Sequence, residues 1–124
     1  MLFQHDPAEP IGAWKTIRED SRGLYVEGLL ADGVARAREV HQLLKNGALD
    51  GLSIGFRTVR AKTDAKSGVR SILEADLWEI SVVTFPMLPS ARVQNIKDAR
   101  WFRDRDTELA RAMRRAARMM LRET

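Results

Sequence analysis

Hydrophobic and polar positions change their spacing twice along the chain. From Met1 to Leu30 the apolar residues fall in short extended runs broken by turn formers. Residues 1–6 read as a short strand ending at His5-Asp6 and stopped by Pro7, which lacks the donor that a strand needs. Pro10 precedes a second extended segment, Ile11 to Glu19. Asp20-Ser21-Arg22-Gly23 is a turn, and Leu24 to Leu30 is a β-rich strand, so the region predicts a hairpin. Then the period lengthens. Val34, Ala37, Val40, His41 and Leu44 recur at helical spacing, with Arg36, Arg38, Glu39 and Lys45 off that face. Asp32 is placed to cap this helix and Asn46-Gly47 to stop it.

From Gly51 the alternation returns. In Ser53 to Arg60, the residues Ile54, Phe56 and Thr58 share one face, and Ser53, Gly55, Arg57 and Val59 the other. Asp64 to Gly68 is a turn, and the chain returns through Val69 to Leu73. Leu77 to Phe85 is the strongest strand pattern in the chain and is closed by Pro86 and Pro89. Its alternation places Trp78, Ile80 and Val82 toward a core, and Glu79, Ser81 and Val83 outward or into a cleft.

The element order is therefore β-β-β-α-β-β-β followed by a tail. Strands outnumber helices and lack regular crossover helices between them. That pattern predicts an α+β chain: a mostly antiparallel sheet or barrel carrying one inserted amphipathic helix. Residues 1–93 form the expected domain, and 94–124 a linker and a helical tail. In the tail Leu109, Ala112, Met113, Ala116 and Met120 make an apolar stripe among arginines.

Composition adds little to this picture until charge is placed along it. The chain has 124 residues, 44% hydrophobic and 31% charged, and suits one modest core. The net charge is +4, and the last 25 residues hold 8 arginines against 4 acidic residues. The body is neutral and the tail basic. Cysteine is absent, which removes disulfides, thiolate metal sites and a cysteine nucleophile, and fits a reducing compartment. The two histidines sit at unhelpful spacing for a metal, and no metal or cofactor is expected. No apolar run is long enough to span a membrane, and the start lacks the marks of a signal peptide.

Candidate chemistry centres on Gly51-Leu52-Ser53-Ile54-Gly55. It matches the G-x-S-x-G pattern of a nucleophile elbow, but an elbow needs a helix after the serine and a histidine later in the chain. Here a strand follows, and both histidines, His5 and His41, precede Ser53. That excludes the α/β-hydrolase order while leaving a serine nucleophile with an upstream base. His5 lies at a strand end, where a base is exposed; His41 lies on the apolar helix face and reads as a packing residue. Glu79 is the acid that stands out, inside an apolar strand, where a carboxylate is paired, faces a cleft or lies on a solvated face. Glu74 and Asp76 are alternatives.

Taken in order, Leu2-Phe3-Gln4-His5-Asp6, Pro10-Ile11-Gly12, Gly23-Leu24-Tyr25-Val26-Glu27-Gly28, Leu49 to Phe56 and Leu77 to Pro86 resemble the phage prohead proteases of the HK97 type. That family is related to the herpesvirus assemblins. The likeness runs from about residue 2 to residue 93. It implies a closed, largely antiparallel β-barrel with helices around it. It also implies a serine endopeptidase that matures proheads from inside, within the host cytoplasm. Its substrates would be the major capsid protein or scaffold, and itself. The family's histidine falls on His5, its serine on Ser53 and its acid on Glu79. The bend Pro86 to Ala91 would supply an oxyanion donor, and Gly51 and Gly55 would clear room for substrate beside Ser53. Family members begin with a further segment ahead of the histidine motif, so a missing strand is expected here, with an open edge that a second copy or another partner strand would occupy. Two other readings compete with the enzyme. One is a disabled homologue that binds capsid or scaffold as an assembly module. The other is nucleic-acid binding by the basic tail, residues 104–124, against which stands the absence of any DNA-binding motif.

Overall fold

The computed structural model describes residues 1–97. The chain divides into two units, Met1–Gln94 and Asn95–Thr124. The expected tail helix lies outside the described residues.

Turn chemistry sets the strands of the first unit. The chain begins with β1 (Leu2–Phe3) and β2 (Asp6–Pro10). They are joined by Gln4 and His5, both in the left-handed region with φ 55° and 60°. Next come β3 (Gly12–Asp20) and β4 (Gly23–Leu30), an antiparallel hairpin. Asp20 closes its turn by accepting hydrogen bonds at Oδ1 from the N–H groups of Arg22 (2.8 Å) and Gly23 (3.1 Å). The helix α1 spans Ala35–Lys45 and is followed by β5 (Gly51–Thr63) and β6 (Arg70–Val83).

Four of these strands make one sheet in the order β2-β1-β6-β5, and β3 with β4 makes a second. All pairings are antiparallel except the short parallel match of β1 to β6. The described fold is mostly β with a single helix, and its sheets do not close into a barrel.

Several expectations shift. The proline that was expected to end the first strand instead lies within β2, because β2 is an edge strand and its missing donor faces no partner. The two strands expected after the Asp64 turn are one continuous β6 that ends at Val83, before Phe85. Asp32 does not cap α1: the N-cap is Val34, without a side-chain cap, and Asp32 gives its backbone carbonyl to Arg38 Nη1 at 2.8 Å. The stop is as expected, with Gly47 at φ 78° donating to the Leu44 carbonyl.

The core gathers where α1 meets the inner end of the sheet. Ile11, Ala37, Val40, Leu44, Leu49 and Val82 are buried together, flanked by Met1, Phe3, Leu30, Leu52 and Val93. Each fully buried aliphatic chain of this kind stabilises by about 1.5–3 kcal/mol. Trp14 on β3 reaches across to the first sheet, its indole N–H donating to the Ile80 carbonyl at 3.1 Å. The apolar stripe of α1 therefore clamps β1, the start of β5 and the end of β6, the segments that carry the candidate residues.

Candidate active site

Register places the polar residues of the inner sheet. Pairing of β5 with β6 sets Ser53 opposite Ser81 and Gly55 opposite Glu79. Residues paired this way share a face, so Ser53, Gly55, Glu79 and Ser81 lie on one side of the hairpin. Ile80, Val82 and Leu52 point to the other side, and the last two enter the core.

His5 is brought to this face by the turn after β1. Gln4 N–H donates to the Val82 carbonyl at 3.0 Å, and its side-chain amide bonds Thr84, whose N–H donates back at 3.1 Å. One residue on, the His5 N–H donates to Ser81 Oγ at 3.1 Å. These bonds hold two adjacent non-glycine residues at positive φ, a conformation that costs on the order of 1–3 kcal/mol per residue. With the turn fixed, His5 Nδ1 meets Glu79 Oε1. The other carboxylate oxygen, Oε2, accepts from Ser81 Oγ at 2.6 Å. The His5 and Glu79 side chains are 40% and 20% exposed, so the pair lies at a rim rather than in the core.

Ser53 is 7% exposed, and its Oγ makes no hydrogen bond among the described residues. A buried hydroxyl without a partner carries a desolvation penalty that packing alone does not explain. It is the one orphaned buried side-chain polar atom among the described residues.

The glycines around Ser53 have occupants different from those expected. A Cβ at Gly55 would lie 2.9 Å from both Cγ and Cδ of Glu79. Gly55 thus makes room for the acid itself, not for substrate. A Cβ at Gly51 would lie 2.6 Å from the Val83 carbonyl oxygen and 2.8 Å from Pro86 Cδ, so Gly51 seats the bend that follows β6. That bend returns to β5: Leu52 N–H donates to the Ala91 carbonyl (2.9 Å), Val93 N–H to the Asp50 carbonyl (2.8 Å), and Arg92 pairs with Asp50 at 2.7 Å.

The remaining sequence candidates separate cleanly. His41 is half-buried on α1 beside Val40. Glu74 and Asp76 lie farther out on β6, near Arg60 and Arg57 respectively. Trp78, expected in the core, is 71% exposed. The register shifts between Gly55 and Phe56, where β6 carries one extra residue, and beyond that bulge the hairpin leaves the core. Ser81, which alternation places outward or in a cleft, is wholly buried and bonded to the His5 N–H and to Glu79. Its signal was present in the sequence: a lone hydroxyl in the apolar run Ile80 to Val83 must find a partner. Among the described residues no cluster of side chains suits a metal ion, and no helix is long and apolar enough to cross a membrane.

An imidazole braced by a carboxylate, and a buried unbonded serine hydroxyl on the same strand face, are the parts from which serine hydrolases are built. Comparison with known sequences narrows the class. Residues 1–103 match the caudovirus prohead serine protease family, and the chain belongs to that family. It is 35% identical over 100 residues to the prohead protease of Enterobacteria phage HK97, which covers 78% of this chain and 44% of that protein. It is 35% identical over 86 residues to the prohead protease of Escherichia phage T5, covering 69% and 40% respectively. A capsid polyprotein of Pseudomonas phage PAJU2 is 30% identical over 105 residues, covering 77% of this chain and 15% of that protein. The chain thus spans less than half the length of these relatives. No solved structure matches it.

Proposed function

We propose that this chain is a serine endopeptidase of phage capsid maturation, with Ser53 as nucleophile, His5 as general base and Glu79 as the group that orients the base. The observation that carries this reading is the His5–Glu79 contact on the same face as the orphaned Ser53 hydroxyl. An ionised carboxylate only accepts hydrogen bonds, so Glu79 fixes the proton of His5 on Nδ1. Nε2 is then left with the lone pair that general-base catalysis needs.

The chemistry follows from that tautomer. His5 Nε2 removes the Ser53 proton as Oγ attacks the scissile carbonyl. The imidazolium, stabilised by Glu79, returns the proton to the leaving amine, and water releases the acyl group by the same steps. Positioned proton transfer of this kind contributes about 10²–10⁴-fold. The oxyanion requires N–H donors, each worth about 3 kcal/mol. The bend Pro86 to Ala91, tied to β5 next to Ser53 through the Leu52–Ala91 bond, is our candidate source. The substrates would be the scaffold portion of the major capsid protein and the protease itself, inside the prohead. A closed barrel would require strands beyond those described to join the two sheets.

The test is co-expression with a capsid precursor, comparing the chain with its Ser53→Ala variant by mass spectrometry. Cleavage by the first and not by the second supports the reading. Equal cleavage, or modification of Ser53 by a fluorophosphonate that persists in His5→Ala, overturns it.

A further inference from the structure

Ser81 is the most deeply buried polar residue among those described, at 0% exposure, in a strand whose neighbours Ile80, Val82 and Val83 are apolar. Serine is mostly a surface residue, and a hydroxyl taken out of water costs free energy unless it is bonded. Here the hydroxyl is fully used. It accepts from the His5 backbone N–H at 3.1 Å and donates its single proton to Glu79 Oε2 at 2.6 Å. One side chain therefore touches both the backbone that carries the imidazole and the carboxylate that orients it.

We propose that Ser81 is a positioning residue for proton transfer at His5, an inference that rests on the protease reading above. Two contacts define its action. The bond to Oε2 prevents the carboxylate from turning, so Oε1 stays directed at His5 Nδ1. The bond from His5 N–H helps to hold a residue at φ 60°, a region non-glycine residues rarely occupy without support. The register supplies a third consequence. Ser81 stands opposite Ser53, a register at which hydroxyls on paired strands can bond. Because its proton is committed to Glu79, Ser81 cannot donate to Ser53 Oγ, and the nucleophile is left free for the imidazole. An alanine would fill the same strand position without any of these effects, so buried packing does not account for the hydroxyl.

The experiment uses the full chain as wild type, Ser81→Ala, Ser81→Thr, Glu79→Gln and the Ser81→Ala/Glu79→Gln pair. Two readouts are taken: the imidazole tautomer of His5 by nitrogen NMR, and the rate of fluorophosphonate labelling at Ser53. The wild type is expected to hold the Nδ1–H tautomer, and Ser81→Ala to populate both. Labelling should slow by about 10- to 100-fold in Ser81→Ala, as for outer partners of other oriented imidazoles. Ser81→Thr, which keeps the hydroxyl, should keep the wild-type tautomer. Because the Oε2 bond acts through Glu79, the loss in the double variant should fall short of the product of the two single losses. An unchanged tautomer in Ser81→Ala, a folded Ser81→Thr that loses it, or effects that multiply in the double variant would overturn the proposal. The protease reading fails separately, as a wild type that never labels while its tautomer still responds to Ser81→Ala.

Discussion

The hairpin of β5 and β6 is one continuous ladder, yet its two halves are different materials. The inner half, Gly51 to Gly55 against Glu79 to Val83, has Gly51, Ser53 and Ile80 to Val83 buried. The outer half, from Phe56 to Thr63 against Arg70 to Trp78, keeps Val59, Leu73 and Trp78 more than half exposed. Backbone pairing is the same in kind on both sides of the bulge. What differs is the cover: α1, β1 and the Pro86 bend pack on the inner half, and the outer half projects past them. Catalytic side chains need fixed neighbours, and only the inner half provides them.

The largest effects should therefore fall on inner residues that touch no core. Replacing Ser53 or His5 by alanine should reduce precursor cleavage by on the order of 10⁴-fold or more, as for members of other serine-hydrolase triads. Neither substitution should lower the thermal midpoint much, because Ser53 has no bond to lose and the His5 ring lies at the rim. A large loss of stability in Ser53→Ala would show that the hydroxyl is a structural group and would break the comparison.

Next come the inner glycines. Gly51→Ala sets a Cβ 2.6 Å from a backbone oxygen and should destabilise by about 1–3 kcal/mol, the range for overpacking. In Gly55→Ala the obstacle is the Glu79 side chain, which can move. That variant should fold but lose cleavage, through displacement of the acid from His5. Thermal unfolding beside a cleavage assay separates the two, and equal activity in Gly55→Ala would refute the assignment of its space to Glu79.

These glycines show what was legible in the sequence. Ser53, Glu79 and His5 were legible as candidates, because a serine and an acid inside apolar strands are local anomalies and His5 stands at a strand end. Glu74 and Asp76 stayed open as acids, and only the family resemblance gave the three residues roles. The mostly β order with one helix was equally local. What Gly55 is for could not be read that way, since it depends on which residue pairs across the ladder. The left-handed turn at Gln4 and His5 was hidden for a related reason. Neither residue signals positive φ as a glycine would, and the turn is held by Val82, Thr84 and Ser81, far along the chain, which bond to it. Trp78 misled the face assignment because a bulge and the end of the core are both tertiary facts. Ser81 was legible as an anomaly but not as a role.

The outer half supplies the contrast for stability. Trp78 is 71% exposed, with its indole N–H only 3.4 Å from Asp76 Oδ2, so Trp78→Ala should change unfolding free energy by no more than about 0.5 kcal/mol. Val40→Ala, wholly buried against the inner half, should cost about 2–3 kcal/mol. Chemical denaturation of the pair measures the difference, and a Trp78→Ala cost near that of Val40→Ala would mean that the outer half is covered in solution.

The smallest effect lies at the tip of the hairpin. Asp64 accepts hydrogen bonds at Oδ1 from the N–H groups of Lys66 (2.7 Å) and Ser67 (3.3 Å), and these hold its carboxyl below the usual carboxylate range. The folded value is thus depressed relative to the unfolded chain. Its stabilising contribution is complete above the unfolded carboxylate pKa and is lost as pH falls through the folded value. Asp64→Ala should accordingly weaken the wild-type chain's stability slightly at neutral pH and leave it unchanged in strong acid. Denaturant midpoints at neutral and acid pH test this, and a penalty that survives acidification would assign the effect to turn geometry instead of charge. Because Gly68 already takes the positive φ at this turn, with φ 71°, and donates to the Asp64 carbonyl, the backbone can hold its course without the carboxylate. Cleavage should be unaffected by Asp64→Ala, since nothing at the tip bears on the inner half, which carries Ser53 and the His5–Glu79 pair.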